Sequence, residues 1–384
     1  MPTTSTPPRL RERFPALDDS TYLVSHSMGA PPLGARDALA AYWDAWSAAG
    51  PAAWERWLPE IAQAADDLGA IFGAPADTVS LVPNVSLAQA AVASALSFNG
   101  ERREVVIEAL QFPSVAYVWR AWERYGARVV EVPSDDGRTM STDRICGAIT
   151  ERTAVVALSH AAYLSGALID AAAIAARCRE TGALFVLDVY QTAGIYPFDV
   201  TELGVDAAVG GSHKWLCGGP GCGFLYVRPG LRDCIEPAIT GWMGHAEPFA
   251  FEPAPIRLAS GTLRYATGTP TVPGYLAARA GHDAIREIGV GAIRAHNVRL
   301  TEALLHGALA RGFSVPTPLE AERRTGWIGM DFPGADRAAG ALHERRVFVD
   351  YRPGCGLRVS PHFYTSDDDI AAFFAALDAV RAGR

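Results

Sequence analysis

From residue 79 onward the chain alternates short apolar runs with amphipathic stretches. Runs at 79–82, 104–108, 127–132, 154–158 and 183–188 are almost wholly apolar and four to six residues long, as buried strands of a parallel sheet are. Helical spacing fills the intervals, at about 86–96, 114–125, 142–150 and 171–180, with Ser86 placed to cap the first of these. Two further runs, DAAVGG from Asp206 and CGFLYV from Cys222, predict two more strands. Upstream, a short strand at 22–24 and a loop at 25–32 precede helices over 35–48 and 58–72. The tryptophans at 43, 46, 54 and 57 follow helical spacing and read as packing residues. Residues 231–281 are broken by Pro and Gly. A long helix over 284–311 then leads into a β-β-α-β-β-α pattern ending at 382. The pattern predicts an α/β fold: a large domain over 14–283 with a mostly parallel central sheet, and a smaller C-terminal α+β domain over 284–384. Residues 14–45 are placed to pack with the smaller domain, and 1–13, dominated by Pro, Thr and Arg, read as disordered.

In such a sheet, ligands sit beyond the carboxyl ends of the strands. Asp188 stands at one of those ends and Asn84–Val85–Ser86 at another, the latter opening a helix whose first amides suit a phosphate. An ordinary helix cap is the plainer reading of that turn.

Composition adds one fact that changes the picture. Among 34 Lys and Arg residues, Lys214 is the single lysine. An arginine cannot lose its proton and condense with an aldehyde, whereas a lysine can. Lys214 follows one predicted strand, precedes another, and is flanked by Gly-rich turns that admit a bulky ligand. Asp188 suits the protonated nitrogen of a pyridine ring, Gln191 its phenolic oxygen, and Phe112 its flat face. A net charge of −8 speaks against nucleic acid or an anionic membrane as a partner, and no apolar run reaches membrane-spanning length. Six cysteines without paired spacing read as reduced thiols of a cytoplasmic protein, and no metal-ligand spacing is present.

The motifs L-D-x-x-Q-T-x-G (Leu187 to Gly194), S-H-K (Ser212 to Lys214) and G-x-G-x-L-Y-V-R (Gly221 to Arg228) resemble those of fold-type I pyridoxal-phosphate (PLP) enzymes, the class V aminotransferase superfamily. Further segments are similar to kynureninase: Ser27-Met28-Gly29, Phe112-Pro113-Ser114, Gly241 to His245, and Asp350-Tyr351-Arg352-Pro353 with Leu357-Arg358-Val359. The resemblance implies PLP as cofactor, joined to Lys214 and paired with Asp188. It also implies that Phe112 stacks on the ring, that Asn84, Val85 and Ser86 hold the phosphate, and that Gln191 and His213 line the site. Arg358, with Ser27 and Tyr163, would bind an amino-acid substrate by its α-carboxylate. A homodimer is implied as well, with Trp242 and the Gly268-Thr269-Pro270 turn placed at a partner's phosphate. The chain departs from kynureninases at Gln191, His213, Val115 and Thr267, where they carry histidine, tyrosine, aspartate and asparagine. From the kynureninase-like segments, hydrolytic Cβ–Cγ cleavage of a kynurenine-type substrate is the leading expectation, and these four departures count against it. Amino transfer, desulfurase-like chemistry (which would need a nucleophile such as Cys355) and a non-catalytic PLP sensor are the alternatives.

Overall fold

The computed structural model describes residues 8–383. After a two-residue strand β1 (Thr21–Tyr22), seven strands form one sheet: β2 (Val79–Val82), β3 (Glu104–Glu108), β4 (Arg128–Val132), β5 (Thr153–Ser159), β6 (Leu184–Asp188), β7 (Ala207–Gly211) and β8 (Gly223–Val227). Their spatial order is β2-β8-β7-β6-β5-β3-β4. Only β8 runs against its neighbours. The connection from β7 to β8 contains no helix to carry the chain across the sheet, so β8 must return alongside β7. That connection carries Lys214, which therefore lies at the carboxyl edge of the sheet beside the end of β6.

Both faces of the sheet are buried. Val156, Leu158, Phe185, Leu187 and Phe224 enter one apolar cluster, while Val155, Ala157, Val186, Val209 and Leu225 enter another. The alternation of adjacent residues between two dry faces explains why these strands read as unbroken apolar runs. A third cluster joins Leu300, Leu304, Ile328, Met330, Leu357 and Phe373. It includes a small antiparallel sheet of β9 (Ile328–Met330), β11 (Asp350–Arg352) and β12 (Gly356–Val359) in the order β11-β12-β9, while β10 (Val347–Phe348) pairs in parallel with β1.

Several expectations change. Residues 1–7 of the segment expected to be disordered lie outside the described residues, but Pro8–Arg11 is helical. Leu10 and Phe14 are buried, and Arg11 donates to Asp369 at 2.7 Å and to the Tyr364 carbonyl at 2.6 Å. These partners stand far along the chain, so local composition gave no sign of them. The helix expected over 58–72 begins at Trp54 and ends at Gly69. The strand expected near 313–315 is a single bridge between Ser314 and Asp331. Asn84, not Ser86, caps its helix, its Oδ1 accepting from the Leu87 amide at 3.1 Å.

The predicted long helix is two: Val272–Ile288 and Val290–Ala310, parted by Gly289 at φ 83°, ψ 133°. No helix among the described residues is long and apolar enough to cross a membrane. The backbone of Gly289 lies in a region essentially closed to other residues, and a Cβ added there would meet no neighbouring group within 4 Å. Gly289→Ala should therefore destabilise the fold by about 1–3 kcal/mol through conformation alone. In an unbroken helix the same change would stabilise by about 1 kcal/mol, so the sign of the shift in denaturant midpoint tests the break.

Candidate active site

The carboxyl ends of β2, β3, β5, β6 and β7 converge on a cavity of about 210 Å³. Asn84, Val85, Ser86, Phe112, Tyr163, Asp188, Gln191, His213 and Lys214 all line it, so the structure brings together nine of the residues predicted from sequence. A larger cavity of about 570 Å³ opens beside His160, Tyr196 and Asp199. It holds no lysine, so size does not mark the site.

Lys214 reaches into the cavity with Nζ between two aromatic faces, 4.5 Å from the Tyr190 ring centroid and 5.6 Å from that of Phe112. Burial pulls its pKa below the ordinary lysine value; the charge of Asp188 opposes this and that of Arg358 adds to it. Asp188 is buried at the end of β6, its Oδ1 accepting from the Tyr190 amide at 2.9 Å. Burial raises its pKa, while that amide and Lys214 pull it back. Burial thus draws both proton affinities toward neutrality, and the opposite charge of each partner limits the shift.

Gln191 spans the cavity floor. Its Nε2 donates to the His26 carbonyl and its Oε1 accepts from Trp215 Nε1, both at 3.2 Å, leaving a second amide hydrogen free of these two bonds. His213 Nδ1 lies 2.8 Å from Tyr190 Oη, and burial followed by the charge of Lys214 lowers its pKa to about 4. Phe112 is 43% exposed at the cavity mouth, edge-on to Tyr163. The amides of Val85 and Ser86 fall in the first helical turn, where no preceding turn satisfies them.

The remaining predicted residues lie off this cavity. Ser27 belongs to the N-terminal loop, its amide on the Val24 carbonyl at 2.9 Å. Trp242 Nε1 donates to Thr269 Oγ1 at 3.3 Å, apart from the cavity of the same chain. Arg358 stands behind the wall, Nη1 donating to the Tyr163 carbonyl at 2.6 Å and the other edge of the fork bound by Asp350. Cys355 is buried and its thiol is pushed up to about 12, so it is no exposed thiolate.

Two contributors escaped the sequence reading. Tyr190 forms a cavity wall, and Gly211 makes room for it: a Cβ there would fall 2.1 Å from Tyr190 Oη. Tyr190 stands two residues past Asp188, just beyond the end of β6, where strand-end residues face a ligand. Glu108 ends β3 fully buried, Oε1 accepting from the Ser159 amide at 2.9 Å; Ser159 pairs in register with Asp188. Burial raises its pKa to about 7 against that hydrogen bond, and the charge of Asp188 adds to the rise. A charged residue closing the apolar run EVVIE was its sequence signature.

A slot between aromatic rings, with an amine inside, a buried carboxyl at its base and free helix amides at one end, fits a flat phosphorylated aldehyde. Pyridoxal phosphate is such a molecule. The sequence model of the aminotransferase class-V family matches residues 38–373, and the chain belongs to that family of PLP-dependent enzymes. The chain is 31% identical to an uncharacterized aminotransferase, YcbU, of Bacillus subtilis (strain 168), over 95% of each chain. It is 28% identical to a kynureninase of Pseudomonas fluorescens, over 89% of this chain and 84% of that one. A solved structure of the cystine C–S lyase C-DES, with glycine covalently linked to its PLP, superposes with a TM-score of 0.86 at 22% identity, over 96% and 98% of the two chains.

The balance of burial and charge at Lys214 makes a signed prediction. In PLP-free protein, competitive acylation followed by peptide mapping should give Lys214 an apparent pKa below the usual value of about 10.4. Asp188→Asn, which removes the charge that raises it, should lower that pKa further. An unchanged or higher value in the variant would refute the coupling.

Proposed function

We propose that this chain is a kynureninase-like hydrolase, cleaving the Cβ–Cγ bond of an α-amino acid of the kynurenine type with water. The observation that carries this is the placement of the kynureninase-like segment 350–358. It sets Arg358 directly behind Tyr163, one residue from the cavity that holds Lys214 and Asp188. Likeness to the Pseudomonas fluorescens kynureninase along most of the chain supports the same reading.

Bound PLP supplies an electron sink for a bond broken at the substrate's α-carbon. The protein residues do the rest. Lys214 would hold the cofactor through Nζ and would take the α-proton on that same atom, which its lowered pKa permits near neutrality. Asp188 holds a proton at the ring nitrogen and so keeps the sink open. Phe112 and Tyr190 fix the plane of the ring, and the Val85 and Ser86 amides take the phosphate. Arg358 receives the α-carboxylate, for which a guanidinium fork is suited.

A second reading, amino transfer, is favoured by one observation. Val115 is buried in apolar packing where kynureninases carry aspartate, so no polar group stands there for an aryl ketone. We also propose a homodimer. Trp242, Phe249 and Phe251 form an exposed aromatic cluster, away from the cavity of their own chain. A second copy's site is where they and Thr269 are read to act.

The holoenzyme, given kynurenine, should release anthranilate and alanine in equal amounts, without a 2-oxo acid. Lys214→Ala should lose about 10²–10⁴ of that rate. New amino acid appearing only with a 2-oxo acid, and no anthranilate, would move the chain to the second reading. Sedimentation should show dimers, with Trp242→Ala weakening PLP retention.

A further inference from the structure

Arg358 and Asp350 face each other across β12 and β11 as a register pair. Arg358 Nε donates to Asp350 Oδ1 at 2.9 Å and Nη2 to Oδ2 at 2.6 Å. Two parallel charge-assisted bonds are the geometry in which a guanidinium binds a carboxylate. The remaining terminal nitrogen, Nη1, is spent on the Tyr163 carbonyl. Arg358 is only 3% exposed, so water does not compete for it. The fork that a substrate carboxylate needs is thus already filled, by a carboxylate belonging to the chain.

Asp350 has other partners within reach. His26 Nε2 lies 3.0 Å from Oδ1, and His26 Nδ1 is 2.8 Å from Ser360 Oγ. Arg352, two residues along the same strand and so on the same face, brings Nη2 to 3.5 Å from Oδ2. Its side chain is 47% exposed, with Nη1 on the Tyr351 carbonyl. Burial pushes the Asp350 pKa up, but bonds from His26 and Arg358 outweigh it and hold the carboxyl well below its usual range. It stays ionised. Burial and then the charge of Arg358 keep His26 neutral, with a pKa near 4. Two arginines therefore share one carboxylate, and the cluster has room for one more anion.

We propose that Asp350 is a specificity-determining residue: it occupies the Arg358 fork until a substrate's α-carboxylate displaces it, and it then shifts onto Arg352. This rests on the reading of Arg358 as the carboxylate clamp. A ligand without a carboxylate cannot drive the exchange, because it offers Arg358 nothing in return for Asp350. The incoming carboxylate neutralises the excess positive charge of the two arginines and leaves two ion pairs where one carboxylate was shared.

The test titrates holoenzyme with L-alanine and with ethylamine, its counterpart lacking the carboxylate, and follows the absorbance of the bound cofactor. In Asp350→Asn the competitor is gone, so L-alanine should bind at least about tenfold more tightly, the size of one charge-assisted bond, with ethylamine unchanged. In Arg352→Gln, an exposed position where folding is not at stake, L-alanine should bind about tenfold more weakly, again without change for ethylamine. If Asp350→Asn fails to fold or to retain PLP, the Arg352 variant decides alone. Weaker L-alanine binding in a folded Asp350→Asn, or no change in Arg352→Gln, overturns the proposal. Arg358→Gln separates this from the underlying reading, since it should erase the preference for L-alanine over ethylamine. A preference surviving in Arg358→Gln removes the clamp, and the proposal falls with it. A preference lost there but unmoved in the other two variants removes the exchange alone.

Discussion

The structure depends on how the backbone around Lys214 is tied down. Ser212 donates to the Cys222 carbonyl at 2.8 Å, and Gly218 to the Ser212 carbonyl at 2.7 Å, closing the turn that sends β8 back along β7. From outside, the Gly29 amide donates to the His213 carbonyl at 2.8 Å. His362 Nε2 meets the Trp215 carbonyl at 2.7 Å, and His282 Nε2 meets Ser212 Oγ at 2.9 Å. Three parts of the chain remote in sequence therefore converge on one short segment. A lysine has four rotatable bonds and much entropy to lose, so fixing its stem is what makes its position definite. Trp215, wholly buried next to it, anchors the turn in the core and holds Gln191 through its indole.

Electrostatics follow from the same burial. Lys214 and Asp188 line the cavity, Glu108 is buried at the end of β3, and Arg358 and Asp350 stand behind the wall, all taken largely out of water. Isolated, each would cost several kcal/mol. Here Arg358 and Asp350 pair tightly, while burial moves the proton affinities of Lys214, Asp188 and Glu108 toward neutrality. Asp350 stays an anion, and in this structure it fills the fork of Arg358. Lys214, held by aromatic faces and no tight hydrogen bond, is free to react.

Much of this was legible in the chain. The apolar runs fixed the sheet, because strands buried on both faces have no other way to be written. A lone lysine in an arginine-rich sequence singled out the amine that the fold sets in the cavity, since only lysine of the two can give up its proton. Asp188 and Val85–Ser86 followed from the rule that strand ends carry ligands. Tertiary structure decided what depends on distance in space. Residues 8–14 pack on the body of the protein because Arg11 meets Asp369 and Phe14 meets Phe363. The helix pair breaks at Gly289 because the backbone needs a conformation that periodicity does not encode. The sequence also named Arg358 as the carboxylate's partner; only the fold shows that fork already filled by Asp350, because a cross-strand pair is set by register and not by spacing along the chain.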